Sequence, residues 1–250
     1  MFEHNWANRS VVTLDRSDIE FGEINNLRIN NEFDATIIET GFHDNQLDAE
    51  MLSDARVSDA LARATYQGLV RYFNNVDGGA TQVVMAPGAV TDVRADATAA
   101  GEVTLSWTPP IANTYNGDAA TGYRIYASDN GFGFDGGRFV AGGGTNTHTI
   151  TGLDTGVPYY FKVVAVNDGG ESPGTEVVAA TANGAQNDVL IVNGFDRLDR
   201  TLNPEQPAAG GLVERVRPRQ SNSFDYAVQV AEAIEAHAPN LNIDTAANEA

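Results

Sequence analysis

Residues 152–172 read GLDTGVPYYFKVVAVNDGGES, and their pattern indicates what kind of domain the middle of the chain forms. Its centre alternates between two sets of side chains, and turn-forming residues bound it on both sides. Successive side chains of a β-strand point to opposite faces of the sheet. We therefore expect Tyr159, Phe161, Val163 and Ala165 to face a core, and the residues between them to point outward.

Six further runs in this part of the chain alternate in the same way. They are VTDVRA, EVTLSW, GYRIYA, RFVA, THTITGL and TEVVAAT. Turn residues separate the runs at intervals of about 8 to 12 positions, which is typical of an antiparallel sandwich. The glycine-rich stretches DNGFGFDGG and AGGG between them are predicted to be mobile hairpins rather than binding sites.

This segment resembles a fibronectin type III domain over almost the whole of residues 87–182. In that family a leucine, a glycine and a tyrosine at the opening of the sixth strand form a tyrosine corner. The residues that carry the resemblance are Trp107, Tyr123, Ile125, Leu153, Gly156 and Tyr159. The resemblance implies an all-β fibronectin type III sandwich.

Composition limits the partners of the protein. The chain has 15 Lys and Arg against 34 Asp and Glu, a net charge of -19, and 42% apolar residues. So acidic a surface repels phosphate backbones and anionic lipids, and we expect no nucleic-acid binding. There is no cysteine, which excludes disulfides and thiol catalysis within the chain. No stretch approaches the roughly 20 apolar residues that span a bilayer, so no membrane insertion is expected.

Turn-forming residues divide the 250-residue chain into three segments, a multidomain organisation that its length also favours. We predict a first segment over 1–76, a linker over 77–86, a sandwich over 87–182, a second linker over 183–187 and a third segment over 188–250. Gly78 and Gly79 interrupt the first linker, Pro87 and Gly88 follow it directly, and an Asn-Gly pair begins the second.

The first segment has the pattern of an α/β unit. ATIIE is a short apolar run of the kind that a parallel sheet buries, and it delivers Glu39 into a turn. Asn45 or Asp44 can cap a short helix over QLDAEMLSD. Five residues then recur at helical spacing, which predicts one face of a long helix that ends near Phe73. These residues are Val57, Leu61, Ala64, Gly68 and Tyr72.

Residues 21–73 resemble the C-terminal part of zinc-dependent N-acetylmuramoyl-L-alanine amidases, which cleave the muramyl-to-L-alanine amide of peptidoglycan. The family pattern of an arginine, a strand ending in glutamate, a Gly-Phe pair and an asparagine falls on Arg28, Glu39, Gly41, Phe42 and Asn45. The resemblance implies a partial α/β amidase domain with Glu39 as its catalytic residue. It also makes Arg28 and Asn45 candidate substrate-binding residues. The family's usual proline before the strand is an aspartate, Asp34, in this chain.

The resemblance implies a zinc cofactor whose ligands are two histidines and a glutamate upstream of the strand. The four histidines of the chain are His4, His43, His148 and His237, and none matches a family ligand in its surroundings. We therefore expect no metal ligand in this chain, with the zinc ligands upstream of Met1, and this chain alone to be inactive. The N-terminus has neither a basic start nor an apolar core, so a signal peptide is also expected upstream.

The third segment begins with DVLIVNGFDR, which predicts a buried strand, and continues through a Pro- and Gly-containing loop into a helix over SNSFDYAVQVAEAIEAHAP. It resembles the start of a xanthan-lyase-like associated domain of large extracytoplasmic bacterial proteins, a truncated α/β domain. Polar residues at element ends are binding candidates, although capping explains them equally well. They are Asp196, Arg197, Asp225, Asn248 and Glu249.

Two functions remain open at this point. The first is a fragment of a modular cell-wall hydrolase, an amidase acting on peptidoglycan with a zinc-activated water, and therefore extracytoplasmic. The second is a noncatalytic extracytoplasmic adhesin that binds wall or other polysaccharide and keeps an amidase remnant. Peptidoglycan or another wall polysaccharide is the expected partner in both cases.

Overall fold

A computed structural model describes residues 32, 37–184, 188–194, 203–214 and 225–248. Within these ranges the helices are α1 (Gln46–Leu52), α2 (Ala55–Val76) and α3 (Tyr226–His237). The strands are β1 (Thr91–Ala99), β2 (Glu102–Thr108), β3 (Gly122–Ser128), β4 (Arg138–Ala141), β5 (Thr147–Thr151), β6 (Pro158–Asn167), β7 (Gly170–Glu171), β8 (Val178–Thr181), β9 (Val189–Asn193), β10 (Glu205–Ala208), β11 (Gly211–Glu214) and β12 (Ile243–Ala247).

Strands β1 to β8 form the sandwich predicted for the middle segment. One sheet contains β5, β2 and β1 in that order, and the other contains β4, β3, β6 and β7, with β8 also paired to β6. Every pairing among these strands is antiparallel. All seven predicted runs are strands, so the period of two identified them correctly.

The two sheets enclose one apolar core. Phe161, Val163 and Ala165 are fully buried in it and Tyr159 is packed against it, as the alternation predicts. Trp107 of β2 and Tyr123 of β3 meet in the centre, with ring centroids 5.1 Å apart. Burial of apolar surface contributes about 25 cal/mol per Å², so these large side chains supply much of the stabilisation.

The tyrosine corner forms where the chain enters β6. The Tyr159 hydroxyl accepts a hydrogen bond from the Asp154 amide at 3.1 Å, which ties the strand to the preceding loop. Gly156 has a φ of 84° at this corner. A side chain is strained in that conformation, which accounts for glycine here. The Gly156 amide donates to the Asn183 side chain at 2.6 Å and so fixes the end of the sandwich.

Helices α1 and α2 occupy the positions predicted for them. The Asn45 side chain accepts from the amides of Leu47 and Asp48, so Asn45 is the cap of α1. Helix α2 ends at Val76, three residues beyond the predicted end. The predicted apolar face is wrong over most of its length, because Ala64, Gly68 and Tyr72 are exposed and only Val57 is fully buried. Polar side chains instead mediate the contact of α2 with the sandwich, and apolar spacing does not mark such a contact.

The predicted buried strand before Glu39 is not formed in residues 37–40. Ile37 and Ile38 are 43% and 54% exposed. A strand of a parallel sheet is held by hydrogen bonds from its neighbours. None of the described strands pairs with residues 37–40. The described part of residues 1–76 is therefore a helix pair rather than an α/β unit.

The third segment adds two strands to the sandwich. Strands β9 and β12 are parallel, with α3 between them in the chain, and β12 pairs antiparallel with β1. The resulting sheet has the order β5-β2-β1-β12-β9. The backbone hydrogen bonding is therefore continuous across the predicted boundary at residues 183–187.

Two expectations for the third segment are wrong. The predicted Pro- and Gly-containing loop is a hairpin, β10 and β11, joined by the two residues Ala209 and Gly210. Strand β9 is not buried on both faces, because Leu190 and Val192 are 51% and 55% exposed. Ile191, on the opposite face, is buried in a cluster that includes Val228 and Ala231 of α3.

Candidate functional site

Glu39 lies in an exposed stretch that leads into a tight turn. The turn is built by Asp48, whose carboxylate accepts from the Phe42 amide at 3.0 Å. Gly41 lies against α1, because a Cβ at this position would be 3.2 Å from Leu52 and 3.3 Å from the Asp48 Cβ. Gly41 and Phe42 therefore turn the chain into α1, and they leave the Glu39 side chain in solvent.

The side chain of Asn45, a predicted substrate-binding residue, is occupied by its capping hydrogen bonds to Leu47 and Asp48 at 3.0 and 3.3 Å. Arg28, the other predicted substrate-binding residue, lies outside the described residues. His43 is exposed in the turn after Glu39. Glu39, His43 and Asn45 are all exposed in one short segment of the chain, and the roles assigned to Glu39 and Asn45 stay predictions.

Zinc ligands are not assembled in the described part of the chain, where no three His, Asp or Glu side chains are placed to share a metal ion. His4 lies outside the described residues. His148 is a sandwich residue opposite Leu105, and burial lowers its pKa, with a smaller contribution from the positive charge of Arg138. The described residues therefore do not form a zinc site. The location of the zinc ligands upstream of Met1 stays a prediction.

A first junction joins α2 to the loops at one end of the sandwich. The Tyr66 hydroxyl accepts from the Ala86 amide at 3.1 Å and donates to the Gly169 carbonyl at 3.2 Å. Arg63 donates to the Asn116 carbonyl at 3.2 Å, and Gln67 reaches the carbonyls of the same loop. Side chains that satisfy backbone groups of a second element hold the two elements in register.

A second junction buries the outer face of β6 and β8 beneath the third segment. Tyr160, predicted to point outward from the sandwich, is only 2% exposed because α3, β9 and β12 cover it. The cluster at this junction contains Tyr160, Val177, Ala179, Ile191, Val228, Ala231 and Ile243. Sequence alternation places these residues on a face but cannot tell whether a second unit covers that face.

Buried polar groups join the sheets at this junction. The Ala97 amide donates to the Asp244 carboxylate at 2.9 Å, and the Ile243 amide donates to the Thr181 hydroxyl at 2.9 Å. Asp244 and Thr245 are 1% and 0% exposed. Sequence reasoning missed both residues, and the only signal was an unusually polar pair in a short apolar strand.

The sandwich matches a known family. The family model described as "Fibronectin type III domain" matches residues 88–181. Residues 88–181 form a fibronectin type III domain. Domains of this kind are typical of extracellular or secreted proteins, where they serve adhesion and binding.

Solved fibronectin type III structures are also similar to this chain. The FN5 domain of Drosophila Lar is 23% identical, with 40% of this chain and 99% of that chain covered and a TM-score of 0.32. The FN1-FN3 domains of chicken CNTN1 are 19% identical, with 39% and 33% covered and a TM-score of 0.34. The third fibronectin III domain of human KIAA0343 protein is 20% identical, with 42% and 88% covered and a TM-score of 0.32.

The described helices do not include a membrane span, since none of them combines the necessary length and apolar character.

Proposed function

We propose that this chain is part of an exported modular protein in which the fibronectin type III domain is a rigid connector. The observation that carries this proposal is that elements on both sides of the domain are bonded to it. Helix α2 is held through Tyr66 at one end, and β12 continues the sheet at the β1 edge. Two domains of one chain are free to reorient relative to each other unless the interface between them is large and apolar. This domain has an apolar cluster and backbone pairing at its junction instead.

Native-state hydrogen exchange of the full chain tests the connector function. The amides of Ala97 and Ala179 bond to side chains of β12, and the amide of Val163 reports on the sandwich core. A rigid connector exposes all three amides in the same opening reaction, so we expect similar protection. If Ala97 and Ala179 exchange orders of magnitude faster than Val163, the third segment undocks from a folded sandwich and the proposal is wrong.

We further propose that the first segment belongs to the catalytic domain of a zinc-dependent amidase acting on peptidoglycan. The observation that favours this activity is the order of elements after Glu39. A Gly-Phe turn, a helix capped by Asn45 and then a long helix follow it, as the resemblance implies. In such an enzyme a bound zinc supplies a Lewis acid and an activated water. The carboxylate of Glu39 would carry a proton to the leaving amine.

The amidase proposal is tested in a parent protein that includes the expected upstream ligands. Peptide release from purified peptidoglycan should depend on zinc and should fall by at least about 100-fold in Glu39→Gln, which removes the proton carrier. Glu32→Gln changes the same charge at another exposed position and should retain activity. Full activity of Glu39→Gln would exclude the assigned role.

A noncatalytic adhesin is the second candidate function. The observation that favours it is the exposure of Glu39 in a stretch without strand pairing, where a carboxylate is not held for catalysis. An adhesin should sediment with purified wall polysaccharide and release no peptide. Its binding should be the same in the wild type and in Glu39→Gln. Zinc-dependent peptide release by the parent protein would rule out this candidate.

A further inference from the structure

A cleft of about 440 Å³ opens at the junction between the fibronectin type III domain and the third segment. One wall comes from the turn after β3 and from the tyrosine corner before β6, and the other comes from α3. Its volume falls within the roughly 300–1,000 Å³ of small-molecule sites. The cleft is separate from Glu39 and from the turn that carries it, so it is not part of the predicted amidase site.

The cleft is strongly acidic. Asp129 and Asp154 belong to the fibronectin type III domain, while Glu232 and Glu235 belong to α3. No Lys or Arg is among the described residues that line it. Carboxylates on low-dielectric walls concentrate a negative potential and raise the local concentration of cations. The described residues place no three acidic side chains around one point, so the negative charge is spread along the walls.

The hydroxyl of a largely buried tyrosine opens onto the same space. Tyr160 lines the cleft although it is only 2% exposed, and no hydrogen bond within the described residues involves its hydroxyl. Burial raises the pKa of Tyr160 to about 12, and the charges of Glu232 and Glu235 contribute to the shift. The phenol oxygen is therefore within electrostatic reach of the carboxylates on α3. Because this hydroxyl has no partner among the described residues and is not itself buried, its hydrogen bonds go to whatever occupies the cleft, either water or a ligand atom.

We propose that this cleft binds a small molecule that carries a primary ammonium group. An ammonium has three donors and no acceptor, and it therefore complements carboxylates and the lone pairs of a phenol oxygen. Glu232 and Glu235 accept from the ammonium on one side, Asp129 and Asp154 set the potential from the other, and Tyr160 accepts at the base. Alkyl amines and amino sugars share this group, and the cleft admits either source.

The ligand would touch both the fibronectin type III domain and α3. A molecule that binds only the docked form stabilises that form by mass action. The site therefore rests on the docked arrangement that underlies the proposed connector function. It would make the rigidity of the connector depend on the concentration of the amine.

Isothermal titration of the full chain with cadaverine and with glucosamine tests the proposal. N,N′-Diacetylcadaverine and N-acetylglucosamine are the matched neutral probes. We expect one saturable site for at least one amine and no binding of its acetylated form. Glu232→Gln combined with Glu235→Gln should weaken binding by at least about tenfold, because charge-assisted hydrogen bonds are lost. Tyr160→Phe, which keeps the ring, should weaken it by about threefold.

Glu102→Gln combined with Glu205→Gln removes two charges that do not line the cleft and should leave binding unchanged. If the double variant in α3 does not fold, Asp129→Asn on the opposite wall replaces it as the test and should also weaken amine binding. The proposal is overturned if neither amine saturates a site, if the acetylated probes bind equally well, or if the control variant weakens binding as much. It is also overturned if calcium chloride binds with the same dependence on the variants. If no amine binds but Ala97, Ala179 and Val163 are equally protected from exchange, only the proposed amine site is wrong. If Ala97 and Ala179 exchange rapidly, the proposed connector function is wrong as well.

Discussion

Thr245 and Ala179 are joined by two hydrogen bonds across the junction between the fibronectin type III domain and the third segment. The Ala179 amide donates to the Thr245 hydroxyl at 3.1 Å, and the same hydroxyl donates to the Ala179 carbonyl at 2.7 Å. Both residues are fully buried. One side chain thus satisfies the donor and the acceptor of a single residue on β8, in a place that water does not reach.

Thr245→Val should destabilise the chain by about 1–3 kcal/mol. Valine has the shape of threonine but no hydroxyl, so the amide and the carbonyl of Ala179 would stay buried without partners. Urea denaturation and the exchange rate of the Ala179 amide measure the effect. Thr149→Val is the matched control, because Thr149 is exposed on β5 and should change stability by less than about 0.5 kcal/mol. Equal effects of the two variants would contradict the role of Thr245 in the junction.

Tyr66→Phe should loosen the contact between α2 and the fibronectin type III domain. The variant removes both hydrogen bonds of the Tyr66 hydroxyl, to the Ala86 amide and the Gly169 carbonyl, each worth about 0.5–1.5 kcal/mol. We expect faster hydrogen exchange at the Ala86 amide and little change in the sandwich core. The control Tyr126→Phe removes a hydroxyl that donates to the Glu171 carboxylate within the β4-β3-β6-β7 sheet and makes no bond to α2, so exchange at Ala86 should stay as in the wild type. Unchanged exchange at Ala86 in Tyr66→Phe would show that α2 is not held through this hydroxyl.

The sandwich could be predicted from the sequence because apolar side chains alternate along each of its strands, and every second side chain packs into the same core. Tyr159, Phe161 and Val163 follow that rule, and the structure agrees. The junctions could not be predicted, since Tyr160 has the alternation of a solvent-facing residue whether or not another unit covers it. The strand before Glu39 was predicted from apolar composition alone. Such a run becomes a strand only where neighbouring strands supply its hydrogen bonds.

The stability of the chain should decline below about pH 6.5 because of His148. Burial, and to a smaller extent the charge of Arg138, lowers the pKa of His148 in the folded chain. Its Nε2 atom is buried and has no hydrogen-bond partner within the described residues. The unfolded chain therefore binds a proton near pH 6.5 that the folded chain does not. The contribution of neutral His148 to the free energy of unfolding is therefore complete above about pH 6.5. It is lost as the pH falls from there toward the lower pKa of His148 in the folded state.

Urea unfolding of the wild type and of His148→Gln between pH 5 and pH 8, a window around the reference pKa of histidine, measures this contribution. The variant lacks the titrating group, so its free energy of unfolding should depend less steeply on pH. His43→Gln removes an exposed histidine in the turn before α1. In this variant the free energy of unfolding should depend on pH as in the wild type. A wild-type slope in His148→Gln would assign the pH dependence to other groups.

Gly131→Ala should weaken the docking of α3 on the fibronectin type III domain. A Cβ at Gly131 would lie 2.5 Å from the Val228 Cγ1 on α3, and the φ of Gly131 is 75°, a conformation that alanine adopts only with strain. We expect a loss of about 1–3 kcal/mol, as for other overpacked sites, and faster exchange at the Ala179 amide. Gly136→Ala in the same loop is the control, because nothing lies within 4 Å of a Cβ there. Wild-type stability of Gly131→Ala would mean that α3 does not rest on this loop in solution.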